Sequence, residues 1–318
     1  MTGPAALIIG DWGNSNARAW LCAADGAVLE ARRGPGIAPV RSDPAAIAAA
    51  FATMTTGWPD GVPALLAGVV GASFGWRDAG YLPCPIAVDQ IGSHAVRAPT
   101  NERVVWIAPG ISCTNAWGQP DTMRGEELQI VGWAAQNPGR NALVALPGTH
   151  CKWGQVQDGQ VTRFHSAISG ELFALLRDHS VMVDRGAQSA PHDAAAFAEG
   201  VALAKGAVAV DMSALLFTAR ARQATGAMAV MAAPSLISGI IIGCDVRTGL
   251  SLYGRSQDIV VIGDDALAAR YNEALNQWGI AATRSDGDTM MRAGLLAVFK
   301  ENLVGTRGFE PPTPTPPV

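Results

Sequence analysis

The sequence predicts an α/β protein of two domains, each opening with the same run of elements. Three observations carry the prediction. The order strand, polar turn, strand, Asp-Gly hairpin, strand, helix occurs twice, beginning near residues 6 and 142. Each copy's first strand is a short apolar run closed by a glycine-containing turn, ALIIGD ahead of WGNSN and NALVALPG ahead of THC. A chain of 318 residues, at about 150 residues per domain, also has room for two cores. Hydrophobic residues make up 49% of it and charged residues 16%, which excludes a disordered or heavily solvated chain.

The elements follow in order. ALIIGD (6–11) reads as a buried strand, WGNSN as a turn, and ARAWLC as the returning strand, with Asp25-Gly26 turning into VLEARR. Ser42 or Asp43 caps a helix running to about Thr56, with Pro44 in its first turn, where a missing N–H costs nothing. LLAGVVG and VVWIAP (104–109) are further strands, and Thr122 to Gln136 reads as a helix entered near Arg124-Gly125-Glu126-Glu127. In the second copy KWGQVQ and QVTRFH are strands joined by Asp158-Gly159, and Ser169 caps a helix to about Arg177 with Glu171 in its first turn. Helices then cover about 192–206, 208–224, 234–252, 265–278 and 289–302, with strands at DIVVIG (258–263) and AATR.

The duplicated unit matches the ribonuclease H-like building block of the actin/hexokinase-type ATPase fold. A doubly wound dinucleotide fold would alternate single strands with helices and carry G-x-G-x-x-G; that fingerprint is absent, as is a G-x-x-x-x-G-K-[ST] loop. A net charge of -4 and a pI near 5.7 leave no basic footprint for nucleic acid. The five cysteines are odd in number and never form C-x-x-C, so neither a disulfide framework nor a zinc site is readable, and a reducing cytoplasm is expected. The N-terminus lacks a basic n-region, and the longest later apolar run, Leu236 to Cys244, is broken by Ser238, Gly239 and Gly243; neither a signal peptide nor a membrane span is expected. Residues 304–318, rich in proline, are expected to be a disordered tail outside the fold.

Four motifs carry candidate chemistry. In Asp11-Trp12-Gly13-Asn14-Ser15-Asn16-Ala17-Arg18, a strand-end aspartate can hold a hydrated Mg2+ while the turn offers N–H and side-chain donors to phosphate; an ordinary hairpin reads from the same residues. At the equivalent place in the second copy, Gly148, Thr149 and His150 form a second turn, followed by Lys152, one of only three lysines among 23 basic residues. His150 and Cys151 are neighbours on a strand and face opposite ways, which argues against a Cys/His nucleophile pair. In Met123-Arg124-Gly125-Glu126-Glu127, a carboxylate can serve as general base and Arg124 can grip a substrate carboxylate, although acids at a helix start also simply offset its dipole. The turn at Gly263 after DIVVIG leaves room for a flat adenine or is merely a strand-to-helix connection.

Taken together, these segments resemble the 2-dehydro-3-deoxygalactonokinase family, sugar-acid kinases of bacterial galactonate breakdown. The resemblance runs through Asp11 to Trp20, Gly68 to Tyr81, Met123 to Gln129, Pro147 to Trp153, Ser169 to Leu172 and Gly263 to Tyr271. Asn14, Ala72, Leu128 and Ser169 depart from its pattern without removing a candidate carboxylate or cation. The resemblance implies the actin-like ATPase fold, with an N-terminal domain (1–137) carrying the first phosphate turn and a C-terminal domain (138–303) carrying the second and the adenosine site. It also implies ATP-dependent phosphorylation of the C6 hydroxyl of 2-dehydro-3-deoxy-D-galactonate. On this reading Asp11, Glu126 and Lys152 are catalytic, Asp11 holding Mg2+. Gly13, Asn14, Ser15, Asn16, Gly148, Thr149, His150, Lys152 and Gly263 contact ATP, and Arg18, Ser73, Trp76, Arg124 and Glu127 serve the sugar acid. Only one of Glu126 and Glu127 can face the pocket, and Glu126 is the one taken as base. The alternatives are a kinase for another sugar on this fold or a non-metabolic actin-like ATPase; a homodimer is left open.

Overall fold

The computed structural model describes residues 4–100, 102–207, 211–255 and 257–300. The expected tail, 304–318, lies outside the described residues, as do the first residues of the helix expected from 208 and the last of that expected to 302.

In the first half, β1 (Ala5–Trp12), β2 (Asn16–Ala23) and β3 (Val28–Pro35) form an antiparallel meander. Next comes α1 (Pro44–Met54), whose cap Asp43 accepts from the amides of Ala45 and Ala46 as the sequence predicts. After β4 (Ala64–Ala67) come β5 (Tyr81–Pro83), β6 (Ile86–Ala87), β7 (Val96–Arg97), β8 (Val105–Ile107), β9 (Gly110–Thr114), β10 (Pro120–Met123) and α2 (Glu126–Gln136). The second half holds β11 (Ala142–Leu146), β12 (Cys151–Gln157), β13 (Gln160–Ala167) and α3 (Ser169–His179). It continues through α4 (Ala194–Gly206), α5 (Met212–Ala224), α6 (Ala233–Tyr253), β14 (Ile259–Gly263), α7 (Asp265–Gln277), β15 (Thr283–Asp286) and α8 (Gly287–Phe299).

The two six-stranded sheets repeat one pattern. The first runs β3-β2-β1-β4-β8-β7 and the second β15-β14-β11-β12-β13-β6. In each, a three-strand antiparallel meander is extended from its first strand by two parallel strands, β4 and β8 beside β1, and β14 and β15 beside β11. This duplication is the actin/hexokinase-type ATPase architecture that the element order predicts.

Between the sheets, one apolar cluster joins Ile9 and Leu65 of the first to Val144 and Val260 of the second through Leu128 and Val131 of α2 and Met290, Met291 and Leu295 of α8. The two helices cross at glycines: a Cβ on Gly132 would stand 1.9 Å from the Met290 carbonyl oxygen, and one on Gly294 1.8 Å from that of Leu128. Helix α6 is long and apolar enough to cross a membrane, but 83% of its most apolar window is buried inside the protein, as in a core helix.

Three expectations are corrected. LLAGVVG is not one strand: β4 stops at Ala67, because Gly68 takes φ 91° and starts a short 3-10 turn, Val69–Gly71. The helix expected from Thr122 begins at Glu126; Pro120–Met123 is instead strand β10, paired with β9, and Gly125 (φ 106°) makes the break. Ser169 does not cap α3, since its hydroxyl is drawn into the core to donate to Asp245.

Candidate active site

Asp11 lies near the end of β1, and the antiparallel register sets Arg18 of β2 directly opposite it. The Arg18 guanidinium bonds the Asp11 carboxylate with one Nη and Asp288, in the first turn of α8, with the other. Arg33, next across the sheet, donates to the second Asp288 oxygen at 3.1 Å. Gly68 must be glycine here. A Cβ would come within 2.9 Å of Asp11 Oδ1 and 2.8 Å of the Trp12 carbonyl oxygen. Gly125 closes the group, its own Cβ position 3.4 Å from Gly68 Cα and 3.8 Å from Asp11 Oδ1. The first and third motifs therefore meet in space.

The turn after Asp11 is fastened from behind. The amides of Gly36, Ile37 and Ala38 donate to the carbonyls of Ser15, Gly13 and Asn14, and the Gly13 amide donates to Asn16. With those carbonyls occupied, the side chains of Asn14, Ser15 and Asn16 are left exposed.

At the start of α2 the two glutamates divide. Glu127 is fully buried; its Oε2 accepts from the Gly125 amide at 2.7 Å and its Oε1 has no hydrogen-bond partner. Burial, reinforced by the neighbouring Glu126, lifts its carboxyl to about 8. Glu126 is only partly buried and accepts from the Arg124 amide at 3.1 Å. Burial raises its pKa, Lys152 opposes the rise, and Asp11 adds to it, so Glu126 lies within electrostatic reach of both. Arg124 stacks on Tyr81, 4.2 Å from the ring centroid, and donates to the Gly80 carbonyl at 2.9 Å, while its Nη1 is buried without a partner.

Lys152, 7% exposed, stands on β12 with its Nζ 2.8 Å from the Thr122 carbonyl and 2.7 Å from the Ser166 hydroxyl; Ser166 in turn donates to Asp121 at 2.6 Å. The turn before it rests on α3: a Cβ on Gly170 would lie 2.2 Å from the Gly148 carbonyl oxygen, and the Glu171 amide donates to Thr149 at 2.9 Å. His150 is exposed and 2.8 Å from the Glu171 carboxylate. Gly148, Ser169 and Gly170, with Ile241 and Ile242 of α6 and Leu267, Arg270 and Tyr271 of α7, line an open cleft. Gly263 packs against Pro147 just before the cap of α7 and does not line that cleft.

Asp11, Arg124, Glu126 and Lys152 are thus brought together, and Gly148 is set beside the cleft. Ser73 is exposed on the loop after Gly71, and Trp76 is 3% exposed against Phe51 in the core, ring centroids 5.6 Å apart. Sequence reasoning missed Asp288, which shares Arg18 with Asp11, and Asp245, which accepts from Trp153, Ser169 and Tyr271. No local pattern flags Asp288; the signal for Asp245 was an acid inside a mostly apolar helix.

A carboxylate within electrostatic reach of a strand-end aspartate and a buried lysine, on a duplicated ATPase fold, suits a kinase. The comparisons with known proteins narrow the class. The model of the 2-keto-3-deoxy-galactonokinase family matches residues 11–298. The 2-dehydro-3-deoxygalactonokinase of Escherichia coli (strain K12) is 32% identical over 289 residues, covering 91% of this chain and 95% of the relative. The crystal structure of a Sinorhizobium meliloti protein described as a 2-dehydro-3-deoxygalactonokinase is similar with a TM-score of 0.83 and 32% identity, over 92% of this chain and 98% of that one. The chain belongs to the 2-keto-3-deoxy-galactonokinase family.

Proposed function

We propose that this protein transfers the γ-phosphoryl group of ATP to the C6 hydroxyl of 2-dehydro-3-deoxy-D-galactonate, in the cytoplasm, with domains 1–137 and 138–303 closing over the substrates. The observation that carries the reading is Glu126, a carboxylate of raised basicity at a helix start next to Asp11 and Lys152. The sugar acid lies with its primary hydroxyl at Glu126 and its carboxylate toward Arg124, whose buried Nη1 has a donor to spare. In the transfer the C6 oxygen bonds to the γ-phosphorus, the bond from that phosphorus to the β-phosphate oxygen breaks, ADP leaves, and the hydroxyl proton passes to Glu126. Lys152 supplies positive charge for the charge that develops on the phosphoryl oxygens.

Mg2+ fits the residues present. Asp11 is a strand-end carboxylate paired with Arg18, and Mg2+ keeps several waters and is bound through one or two carboxylates plus substrate phosphates. Asp11 would hold it, and when bound the ion neutralises phosphate charge.

Phosphorus NMR of the product tests the assignment. A primary ester at C6 gives a phosphorus signal split into a triplet by the methylene protons; a doublet from a secondary ester contradicts the proposed acceptor.

A further inference from the structure

We infer that Asp245, in the middle of α6, is a positioning residue that fixes the walls of the cleft that Gly148 lines; the inference rests on the expectation that Gly148 contacts ATP, which makes this cleft the nucleotide site. Its side chain is buried, with the residue 5% exposed. Oδ1 accepts the Trp153 indole N–H at 3.0 Å, and Oδ2 accepts the hydroxyls of Ser169, at 2.9 Å, and Tyr271. The three donors stand on β12, α3 and α7. Trp153 directly follows Lys152; Ser169 precedes the glycine that packs on the Gly148 carbonyl; Ser169 and Tyr271 both line the cleft.

Among the described residues no cation forms an ion pair with Asp245, so neutral donors alone satisfy it. A buried carboxylate is a costly way to join elements whose other contacts are apolar. What it supplies is orientation, because one group fixes the rotamers of three donors at once. Burial and the charge of Asp245 hold the Tyr271 phenol far above its ordinary range, so it remains a donor. Helix α6 has no slack to move with a lost bond. A Cβ on Gly249 would lie 2.7 Å from the Trp153 ring, and one on Gly239 2.1 Å from the Phe197 carbonyl oxygen of α4.

The experiment measures ATP affinity by calorimetry and KM for ATP and for the sugar acid in Asp245→Asn, Ser169→Ala, Tyr271→Phe and, separately, Leu267→Trp, which fills the cleft. Asp245→Asn is expected to raise Kd and KM for ATP up to about tenfold, the cost of ordering on ATP binding the cleft side chains that the carboxylate no longer holds. KM for the sugar acid should stay within about twofold, and the two single-donor variants should weaken ATP in the same direction by less. A folded Asp245→Asn with unchanged ATP constants, or one in which both substrates weaken equally, overturns the inference. If Asp245→Asn does not fold, unchanged ATP constants in both Ser169→Ala and Tyr271→Phe overturn it. Unchanged ATP affinity in Leu267→Trp overturns the reading of the cleft itself, and the inference with it. Loss in Leu267→Trp without loss in the other three overturns Asp245 alone.

Discussion

Glu126 and Lys152 show how a single charge sets the chemistry at the residue scale. Burial pushes the Glu126 carboxyl above the ordinary 4.5 and Lys152 pulls it back. Glu126→Gln removes the proposed proton acceptor and should lower kcat about a hundred- to ten-thousand-fold while leaving KM for the sugar acid nearly unchanged, measured by steady-state kinetics. With Glu126 as the proposed base, the acid limb of kcat/KM should lie above the ordinary carboxylate range. Lys152→Met removes the cation that lowers this pKa, so the limb should move to higher pH as well as the rate falling; a limb that stays in place would separate Lys152 from Glu126. Asp11→Asn should retain the fold, because the carboxylate sits at a strand end and not in a core, and should lose activity that added Mg2+ does not restore. The strand-end aspartate, the glutamates and the lone motif lysine were legible in the sequence as residue types at telling places. Their separate duties were not: that Glu127 braces Gly125 while Glu126 stays partly exposed depends on how α2 is set down on α8.

At the scale of elements, strands and caps were legible wherever a local rule decides them. Asp-Gly turns and apolar runs gave both meanders, and Asp43 caps α1 with its own carboxylate as the sequence predicts. The sheet of β10, β9 and β5 was not legible, because its strands are three to five residues long and carry proline, glycine and aspartate. Ser169 was misread because a serine before a helix is usually a cap, and only the fold reveals the aspartate that competes for its hydroxyl. Helix α2 depends on its crossing with α8, so Gly294→Ala, which places a Cβ against the Leu128 carbonyl, should cost about 1–3 kcal/mol or more by urea denaturation and should also lower kcat. Glu127 makes the same helix pH-sensitive. Its folded pKa of about 8 exceeds the ordinary 4.5, so its favourable contribution is complete below about 4.5 and is lost as pH rises to about 8. The thermal midpoint of the parent should therefore fall from about pH 5 to about pH 8.5, and that of Glu127→Gln should fall less.

For the whole molecule, the two halves are joined by one continuous core through α2 and α8, and the same two helices deliver Glu126 and Asp288 to the neighbourhood of Asp11. The duplication was legible from element order because both copies obey the same hairpin and turn chemistry without sharing sequence. The pairing of β6 with β13 and the reach of α8 back to the first sheet were not, since both depend on contacts between residues far apart in the chain. The arrangement serves to phosphorylate a 2-keto-3-deoxy sugar acid. A coupled assay of ADP release, run with ATP, Mg2+ and a panel of 2-keto-3-deoxy acids and simple hexoses, tests it most directly. ADP release should be rapid with 2-dehydro-3-deoxy-D-galactonate and at background with hexoses or with no acceptor; release that is as fast with a hexose, or that does not depend on an acceptor, would rule out a sugar-acid kinase.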